Sequence, residues 1–428
     1  AEEHAFFRSW RGLYDYPYHP NRGEPEGPIL IVGAGTGNDV SAALRNTQSR
    51  IDAVEIDPMI IRLGTLHHFE RPYHNSRVKI TVDDARSFFV RTDKRYAKIV
   101  FGFLDSHTLM SSFSSVRLDN FVYTYETMRQ VKELLLPGGK VHVTFATLTP
   151  WIHKRIIRLL DAVFDYSTTF VIDQESGYAN GIVYTNGKVP TADISPLANN
   201  SPHNFDIKIP TDDWPFLYMR EPGIPDHYKV FIVIVVLMGA GSLLLLPQGQ
   251  RAIKLPYFFL GAGFFLIETS NVVSLSLLYG STWVVNITVF TGILTLILLG
   301  NVTCILTSRP RYGLTFSLLF TNIIVSYVTP PSSLLVIQST WLQGLVAVVV
   351  FLGPVFFASL IFGHLIKQEK NLYQAYGSNL LGAVIGGSCE YLSLVMGIKF
   401  LLLCTFVFYG FALVLIIAAR GTLATAET

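Results

Sequence analysis

The chain has 428 residues, of which 50% are hydrophobic and only 15% are charged, with a formal net charge of +2. This composition excludes one small soluble domain and favours two domains, one of them strongly apolar. After residue 228 there are nine Lys or Arg against four Asp or Glu, and before it 24 against 27. No basic tract suggests a nucleic-acid partner. The three cysteines lack the spacing of a disulfide framework or a zinc site, so no metal is expected.

Residues 1–28 form a polar and aromatic lead-in segment. We expect it to be a surface segment packed on the domain that follows. Its tyrosines, Tyr14, Tyr16 and Tyr18, could instead line the mouth of a substrate site. Because the chain begins Ala-Glu-Glu without Met, it is expected to be processed or to belong to a longer product.

A short apolar run at residues 29–32 is followed by three alternating glycines, Gly33, Gly35 and Gly37, and then by a helical pattern over 40–44. The run is too short for a helix and predicts a strand. Strand, glycine turn and helix make the first unit of an open α/β sheet. The turn lets a ligand approach the backbone, and the helix N-terminus offers free N–H groups.

Acidic residues follow the next three predicted strands: Glu55 and Asp57, then Asp83 and Asp84, then Asp105. Ligands of parallel sheets bind at the carboxyl ends of the strands, and an acid after the second strand suits ribose hydroxyls. These acids therefore predict a nucleotide site. The further elements expected are helices over 85–90, 118–136 and 152–164, a turn at 137–139, and strands over 140–145, 168–172 and 181–184.

The motifs GAGTG (33–37), VEIDP (54–58), VDDAR (82–86), LDS (104–106) and LLPGGK (135–140) resemble a class I S-adenosylmethionine-dependent fold. Within that fold they are most similar to the spermidine synthase (polyamine synthase) branch. The resemblance covers about residues 29–145 and reaches weakly to Tyr218. It implies an α/β domain over 29–228 with a Rossmann-like, mostly parallel sheet.

The resemblance also implies roles for individual residues. Glu55 would hold the ribose, and the Asp83 and Asp84 pair would meet the adenine amine. Asp105 would be the catalytic acid that accepts a proton from an attacking amine. His107 is a second catalytic candidate as a general base, or else a loop histidine satisfied by solvent. The complete set of expected nucleotide-binding residues is Gly33, Gly35, Thr36, Gly37, Glu55, Asp57, Asp83, Asp84 and Ala85.

One departure concerns the transferred group. Polyamine synthases carry an acid where this chain has Thr36, and that acid binds the amine of decarboxylated S-adenosylmethionine. A neutral Thr does not pair with an ammonium, so S-adenosylmethionine and its decarboxylated form both remain candidate cofactors.

The expected substrate residues fall in two segments. Residues 106–126 are rich in hydroxyl and aromatic groups and could cover a bound substrate, with Tyr123 and Glu126 as contacts. Residues 211–218 resemble a TDDxP segment of membrane-fused spermidine-synthase-like proteins. There, Asp212 and Asp213 could meet a cationic substrate or could cap a turn.

From residue 229 to 428 the pattern changes to long apolar runs, which predict an all-α polytopic membrane domain of about seven helices. The expected spans are 230–246, 257–279, 283–306, 312–328, 341–366, 375–396 and 400–419. The runs FLGAGFFLIET and YGSNLLGAVIGGSCEYLSL resemble membrane segments fused to spermidine-synthase-like domains in bacteria. This resemblance implies an integral protein of the bacterial inner membrane.

Charged residues inside the expected spans are few: Glu268 and Glu390. They could form a polar pocket for a cation or a headgroup, or they could be protonated and join helices by hydrogen bonds. Candidate partners are Asn271, Asn286, Asn301 and Asn379. Gly382, Gly386 and Gly387 are expected to allow close helix contact.

The positions of the basic loops and the location of the cofactor lead to opposite predictions for the side of the membrane on which the α/β domain lies. If every span crosses, the loops with Arg251, Arg309 and Lys367 are cytoplasmic by the positive-inside rule, which places the α/β domain outside. If residues 230–246 do not cross, the α/β domain is cytoplasmic. We favour the cytoplasm because S-adenosylmethionine is found there.

The leading functional hypothesis is a membrane-bound transferase that uses an S-adenosylmethionine-type nucleotide, with aminopropyl transfer to a polyamine as the reaction implied by the resemblance. The first alternative is a methyltransferase acting on a lipid or another membrane-embedded substrate. The second is a nucleotide-sensing transporter or scaffold in which Glu268 and Glu390 do the work. The partners expected are a small cationic or membrane-embedded acceptor and the lipid bilayer, and an assembly of several copies is left open.

Overall fold

A computed structural model of the chain describes residues 11–18, 25–104, 121–146, 149–164, 167–171, 181–186, 206–244, 251–279, 283–307 and 310–426. The chain divides into two compact units, Ala1–Glu221 and Pro222–Thr428. The boundary predicted at residues 228 and 229 lies a few residues further along the chain. The first unit is an α/β fold, and the described part of the second unit is helical.

The first unit is built on a sheet of seven strands: β1 (Ile29–Val32), β2 (Ile51–Glu55), β3 (Val78–Val82), β4 (Tyr96–Phe101), β5 (Leu135–Ala146), β6 (Ser167–Val171) and β7 (Gly181–Asn186). Their order across the sheet is β3-β2-β1-β4-β5-β7-β6. Strands β1 to β5 pair in parallel, and β7 runs antiparallel to both β5 and β6. This arrangement confirms the predicted Rossmann-like fold class.

Both faces of the sheet are covered, and each has its own apolar core. Leu30 and Val32 belong to one buried cluster, whereas Ile29 and Ile31 belong to another. Successive strand residues point to opposite faces, so an uninterrupted apolar strand such as β1 is what a doubly covered parallel sheet requires. The helices described between and after these strands are α1 (Asn38–Asn46), α2 (Pro58–His67), α3 (Ala85–Arg91), α4 (Tyr125–Glu133) and α5 (Pro150–Phe164).

Two predicted boundaries are wrong for local reasons. The helix expected over 118–136 begins only at Tyr125, because the side chain of Thr124 caps it by accepting from Thr127 N at 3.3 Å. The turn expected at 137–139 lies inside β5. There the register against β4 shifts and Gly138 has a φ of 80°, so the glycines form an irregularity within the strand.

Arg155 of α5 fastens the end of the first unit to the sheet. Its buried guanidinium donates to the carbonyls of Lys208 at 2.9 Å, Leu217 at 2.6 Å and Arg220 at 2.9 Å. Burial lowers the pKa of Arg155 to about 10, so the group still carries its charge at neutral pH. One charged side chain thus satisfies several carbonyls of residues 206–220 and fixes that segment.

The described part of the second unit contains the α-helices α6 (Asp226–Leu244), α7 (Leu255–Tyr279), α8 (Trp283–Leu306), α9 (Tyr312–Val328), α10 (Thr340–Ala347), α11 (Gly353–Lys367), α12 (Leu372–Cys389), α13 (Ser393–Met396) and α14 (Lys399–Ala426). In the described part of the chain, five helical stretches are long and apolar enough to cross a membrane: Leu255–Leu278, Asn286–Leu306, Thr340–Lys367, Leu372–Met396 and Lys399–Ala419. They coincide with five of the seven predicted spans. Helix α9 has 17 residues, fewer than the ~20 that a span normally needs.

A π-helical turn at Val348–Leu352 joins α10 to α11, and polar side chains of this unit donate hydrogen bonds to it. Three consecutive carbonyls of the turn accept side-chain hydrogen bonds at 3.2 to 3.4 Å; Asn322 donates to Val349 O, Ser326 to Val350 O and Asn271 to Phe351 O. Pro354 has no N–H to offer Val350 O, the carbonyl four residues earlier, so this carbonyl needs a donor from outside the helix. Asn271 therefore serves backbone carbonyls, instead of the Glu268 or Glu390 partnership suggested by the sequence.

Close helix contact between α7 and α12 confirms the expectation for two of the three glycines. A Cβ on Gly382 would lie 1.9 Å from Phe258 O, and one on Gly386 would lie 2.2 Å from Ala262 O. Only glycine fits where two backbones approach so closely. The third, Gly387, faces the ring of Phe265.

Candidate nucleotide-binding site

The carboxyl ends of β1, β2, β3 and β4 lie side by side at one edge of the sheet. Val32 pairs with Val54 and with Phe101. Asp83 N donates to Glu55 O at 3.2 Å, and Gly102 N donates to Val32 O at 3.0 Å. The structure therefore brings the glycine turn, Glu55 and the residues after β3 together, as the topology requires. The predicted catalytic residues Asp105 and His107 lie outside the described residues.

The glycine turn has a backbone that only glycine adopts without strain. Gly33, Gly35 and Gly37 have φ values of 68°, 55° and 107°, all in the left-handed region. A Cβ on Gly33 would lie 1.8 Å from the Leu104 side chain. Gly37 is the N-cap of α1, so the turn delivers the chain directly into a helix N-terminus. The result is a glycine-rich turn in which only Ala34 and Thr36 carry side chains.

Two residues that the sequence does not single out hold this turn in place. The hydroxyl of Tyr73 donates to Gly35 O at 2.6 Å and lies 3.1 Å from Ala34 O. A Cβ on Gly64, in helix α2, would lie 2.3 Å from Thr36 O. Neither residue stands in a motif, and both contacts join positions far apart in the chain. Thr36 itself is exposed.

Glu55 ties the glycine turn to the end of β2. It is buried, with 7% of its surface exposed. Its Oε2 accepts from Gly35 N at 2.9 Å, and its Oε1 accepts from Asp57 N at 3.1 Å. Each carboxylate oxygen accepts more than one hydrogen bond, so Glu55 can hold the turn and still accept ribose hydroxyls. A glycine-rich turn beside a buried carboxylate fits an adenosyl nucleotide.

The other acids of the predicted site divide into helix caps and one outward group. Asp57 caps α2 by accepting from Met59 N at 2.7 Å. Asp84 caps α3 by accepting from Arg86 N and Ser87 N, directly before Ala85, the first residue of that helix. Burial raises the pKa of Asp84 to about 6. Asp83 keeps 28% of its side chain exposed and pairs with Arg91 at 3.5 Å.

Asp39, which no motif singles out, also lies at this edge. It is the second residue of α1 and is 5% exposed. Burial raises its pKa to about 7. An acid two residues after the last glycine of the turn is the signal that sequence reasoning could have used.

Because Asp39 holds its proton more tightly in the folded chain than the ordinary value of 3.8, stability should fall as pH rises from about 4 to about 7. In that range the unfolded chain ionises first. Tyr18 and Tyr73, the other ionisable groups that interact with Asp39, have raised pKa values and stay neutral. Asp39→Asn should remove this pH-dependent loss of stability, which amounts to at most about 4 kcal/mol. The melting temperature of the variant minus that of the wild-type chain should therefore grow from pH 5 to pH 8; an equal difference at both pH values would contradict the assignment.

Asp212, predicted as a substrate contact, is engaged inside the protein. Arg86, 2% exposed, donates to Asp212 Oδ1 and Oδ2, both at 2.9 Å. Thr124 Oγ1 donates to Oδ1 at 2.8 Å, and Arg86 also reaches Thr127 Oγ1. The ion pair joins α3, the start of α4 and the segment at 206–221. Both oxygens of Asp212 thus serve the fold.

The remaining predicted substrate residues have different surroundings. Tyr123 is 1% exposed and packs edge-on against Phe145 in the core. Glu126 Oε2 accepts from Asp212 N at 2.8 Å, and burial raises the pKa of Glu126. Asp213 is partly exposed. No cluster of three or more His, Cys, Asp or Glu side chains suited to a metal ion occurs among the described residues.

Residues 20–172 match the family model described as "Spermine/spermidine synthase domain". The resemblance predicted from the motifs is thereby confirmed for this part of the chain. A polyamine aminopropyltransferase of Vibrio vulnificus (strain CMCP6) is 32% identical over 151 residues, which are 35% of this chain and 47% of that protein. One of Prochlorococcus marinus (strain MIT 9301) is 28% identical over 147 residues, 33% and 49% of the two chains.

The chain spans about half the length of the curated relatives that it matches. Among solved structures, a spermidine synthase from Thermotoga maritima is similar with 14% identity and a TM-score of 0.34. That similarity covers 53% of this chain and 75% of the other. The fold assignment here rests on the strand order and pairing described above.

Proposed function

We propose that the edge formed by β1 to β4 binds an S-adenosylmethionine-type nucleotide and that the chain transfers an aminopropyl group from its decarboxylated form to a polyamine amine. The observation that carries this proposal is the bond from Gly35 N to Glu55 Oε2. It fixes the glycine-rich turn beside a buried carboxylate. The match of residues 20–172 and the names of the two curated relatives support the same reaction class.

The chemistry needs little from the protein besides placement. A sulfonium is a good leaving group when bound: the acceptor nitrogen uses its lone pair to bond the carbon next to sulfur, and the carbon–sulfur electrons remain on sulfur as a thioether. The attacking amine loses one proton. We assign nucleotide placement to the glycine turn, Glu55 and Asp83, and proton acceptance to Asp105. Holding the reactants in line can lower the barrier by about 7–11 kcal/mol.

We also propose that the second unit lies in a membrane. Its five apolar helical stretches support this placement. A cytoplasmic first unit follows from where the nucleotide is made. The acceptor is then a small cationic amine that reaches the carboxyl edge of the sheet from the cytoplasm.

Glu55 provides the sharpest test of nucleotide binding. Wild-type chain in detergent should bind 5′-methylthioadenosine more tightly than its 2′-deoxy analogue, by about 10- to 100-fold if the hydroxyl bonds a carboxylate. In Glu55→Gln this ratio should fall close to one. Asp93→Asn is the control, because it removes an exposed carboxylate between α3 and β4, outside the set of expected nucleotide-binding residues, and its ratio should equal the wild-type ratio. Titration calorimetry gives all three; equal ratios in wild type and Glu55→Gln would reject the ribose assignment.

The reaction itself is tested by product analysis. Decarboxylated S-adenosylmethionine with 1,4-diaminobutane should give 5′-methylthioadenosine and the aminopropylated amine in equal amounts. If only S-adenosylmethionine were consumed and S-adenosylhomocysteine formed, the proposed group transfer would be wrong and the methyltransferase hypothesis would replace it.

A further inference from the structure

A cavity of about 510 Å³ opens between helices α7, α8, α11 and α12 of the second unit. Sites for small molecules typically measure about 300–1,000 Å³. Most of the cavity wall is apolar, but five polar side chains also line it: Asn301, Ser359, Lys367, Tyr376 and Asn379. Cavities that stay empty in proteins have apolar walls. Polar groups in the wall of a cavity in a membrane unit therefore indicate an occupant.

The cavity has the depth of one membrane leaflet. Ile297 and Ala358 line it, and each lies nine residues before the end of its helix, at Leu306 and Lys367 respectively. At a rise of about 1.5 Å per residue, these nine residues span about 14 Å. The hydrocarbon core of a bilayer is about 30 Å thick. The cavity therefore fits a molecule that inserts from one face of the bilayer.

Hydrogen bonds join the ends of the four helices at the mouth of the cavity. The ammonium of Lys367, the last residue of α11, donates to Cys304 O near the end of α8. Lys254 N, directly before α7, donates to Ser378 Oγ of α12 at 2.9 Å. A lysine ammonium has three donors. Lys367 thus holds two helices together and still has donors for a ligand.

The mouth also carries an excess of positive charge. The stretches 251–257, 310–312 and 364–372 begin or end helices there and contain one acid, Glu369. Its carboxylate is engaged by the ammonium of Lys254 and by Asn371 N at 3.0 Å. Basic pockets between membrane helices suit the phosphate of an anionic lipid. The basic residues of the three stretches are Arg251, Lys254, Arg311, Lys367 and Lys370.

Asn301 supplies hydrogen-bonding groups that the fold does not use. It is an exposed residue of α8 and lines the cavity. Its amide makes no hydrogen bond with the part of the chain that the structure describes, whereas Asn379 of α12 donates to Tyr257 O at 3.1 Å. Hydrocarbon offers no water to Asn301, so an occupant with an acceptor would satisfy it. The ester carbonyl of a glycerolipid is such an acceptor.

We propose that this cavity binds one anionic phospholipid. Its phosphate accepts from Lys367 and Tyr376, an ester carbonyl accepts from Asn301, and one acyl chain packs along Phe264 and Ile297. The inference rests on the membrane placement proposed above and is independent of the nucleotide site. A free phosphate compound would leave the apolar part of the cavity empty. A zwitterionic lipid would bring no net charge to the mouth.

Native mass spectrometry of the full chain in detergent measures lipid binding directly. One phosphatidylglycerol per chain should bind at least about 10-fold more tightly than phosphatidylcholine with the same acyl chains, the effect of a charged hydrogen bond. In Lys367→Gln this preference should nearly disappear. Lys370→Gln is the matched control and should keep the wild-type preference, because Lys370 is an exposed lysine of the same loop that does not line the cavity.

Asn301→Leu tests the contact with the ester carbonyl. Loss of a neutral hydrogen bond should weaken the binding of both lipids by about 2- to 10-fold and leave the preference for phosphatidylglycerol unchanged. The control is Thr303→Val on the same helix. The hydroxyl of Thr303 donates to Leu299 O at 2.7 Å, and Thr303 does not line the cavity. This variant should bind both lipids as the wild type does.

Several results would overturn the assignment. Equal binding of the two lipids by the wild type, or equal losses in Lys367→Gln and Lys370→Gln, would mean a general effect of surface charge. Competition by glycerol 3-phosphate would show a site for a free phosphate compound. A wild-type chain that stays soluble without detergent would refute the membrane placement and this inference together, whereas the nucleotide site would stand. If Lys367→Gln does not fold, an Asn301→Leu chain that binds both lipids as tightly as the wild type would decide against the proposal.

Discussion

Arg86→Met is expected to lower the free energy of unfolding of the first unit by about 3–5 kcal/mol, the cost of leaving a buried charge without its partner. Arg86 is 2% exposed and donates twice to Asp212. Its loss leaves the carboxylate of Asp212, together with Thr124, inside a site built for a cation. Urea denaturation of the full chain, followed by tryptophan fluorescence, measures the change.

Two controls make this result specific. Arg11→Met removes a partner of Asp15 at the surface. Because Arg11 is 61% exposed in that pair, its loss should lower the free energy of unfolding by less than about 1 kcal/mol. Arg86→Met combined with Asp212→Leu removes both charges and should be more stable than Arg86→Met alone. If the double variant were less stable than the wild type by the sum of the losses of the two single variants, the two residues would act independently and the ion-pair account would be wrong.

Gly64→Ala is expected to weaken nucleotide binding by about 5- to 150-fold, although Gly64 lies in helix α2 and touches no nucleotide in this account. Its new Cβ would lie 2.3 Å from Thr36 O and 2.8 Å from Tyr73 Cε2. The glycine turn or Tyr73 must then shift. Alanine favours the helix itself by about 1 kcal/mol, so the damage should appear in binding before it appears in folding.

The control lies two residues away on the same helix. Leu66 is 61% exposed, so Leu66→Ala should leave the affinity for 5′-methylthioadenosine unchanged. A Gly64→Ala chain that binds as tightly as the wild type would show that the turn does not depend on this contact. Tyr73→Phe, which removes the donor to Gly35 O without changing the ring, should weaken binding in the same direction but by less.

The sequence predicts the sheet well because its signals are local. Residues 29–32 are an apolar run that ends at a glycine turn, and strand β1 has the expected limits. The glycines of the turn are equally easy to predict, because each adopts a positive φ, which favours glycine. The boundaries of α4 and β5 are less readable because a Thr cap and an irregularity within a strand decide them.

The site is only partly readable, because what holds it joins distant parts of the chain. Tyr73 reaches Gly35 across 38 residues, and Arg86 reaches Asp212 across 126. No local sequence pattern predicts either contact. The same carboxylate chemistry also serves different ends: Asp57 and Asp84 cap helices, whereas Glu55 braces the turn. Only burial and hydrogen-bond partners distinguish these roles.

The most direct test of the account is a calorimetric titration of the full chain in detergent with decarboxylated S-adenosylmethionine and, separately, with S-adenosylmethionine. We expect one site per chain, tighter binding of the decarboxylated form, and loss of most of that affinity in Gly64→Ala but not in Leu66→Ala. A folded wild-type chain that bound neither nucleotide would contradict a nucleotide site at the carboxyl edge of β1 to β4. Equal affinities in the wild type and in Gly64→Ala would contradict the placement of that site at the glycine turn.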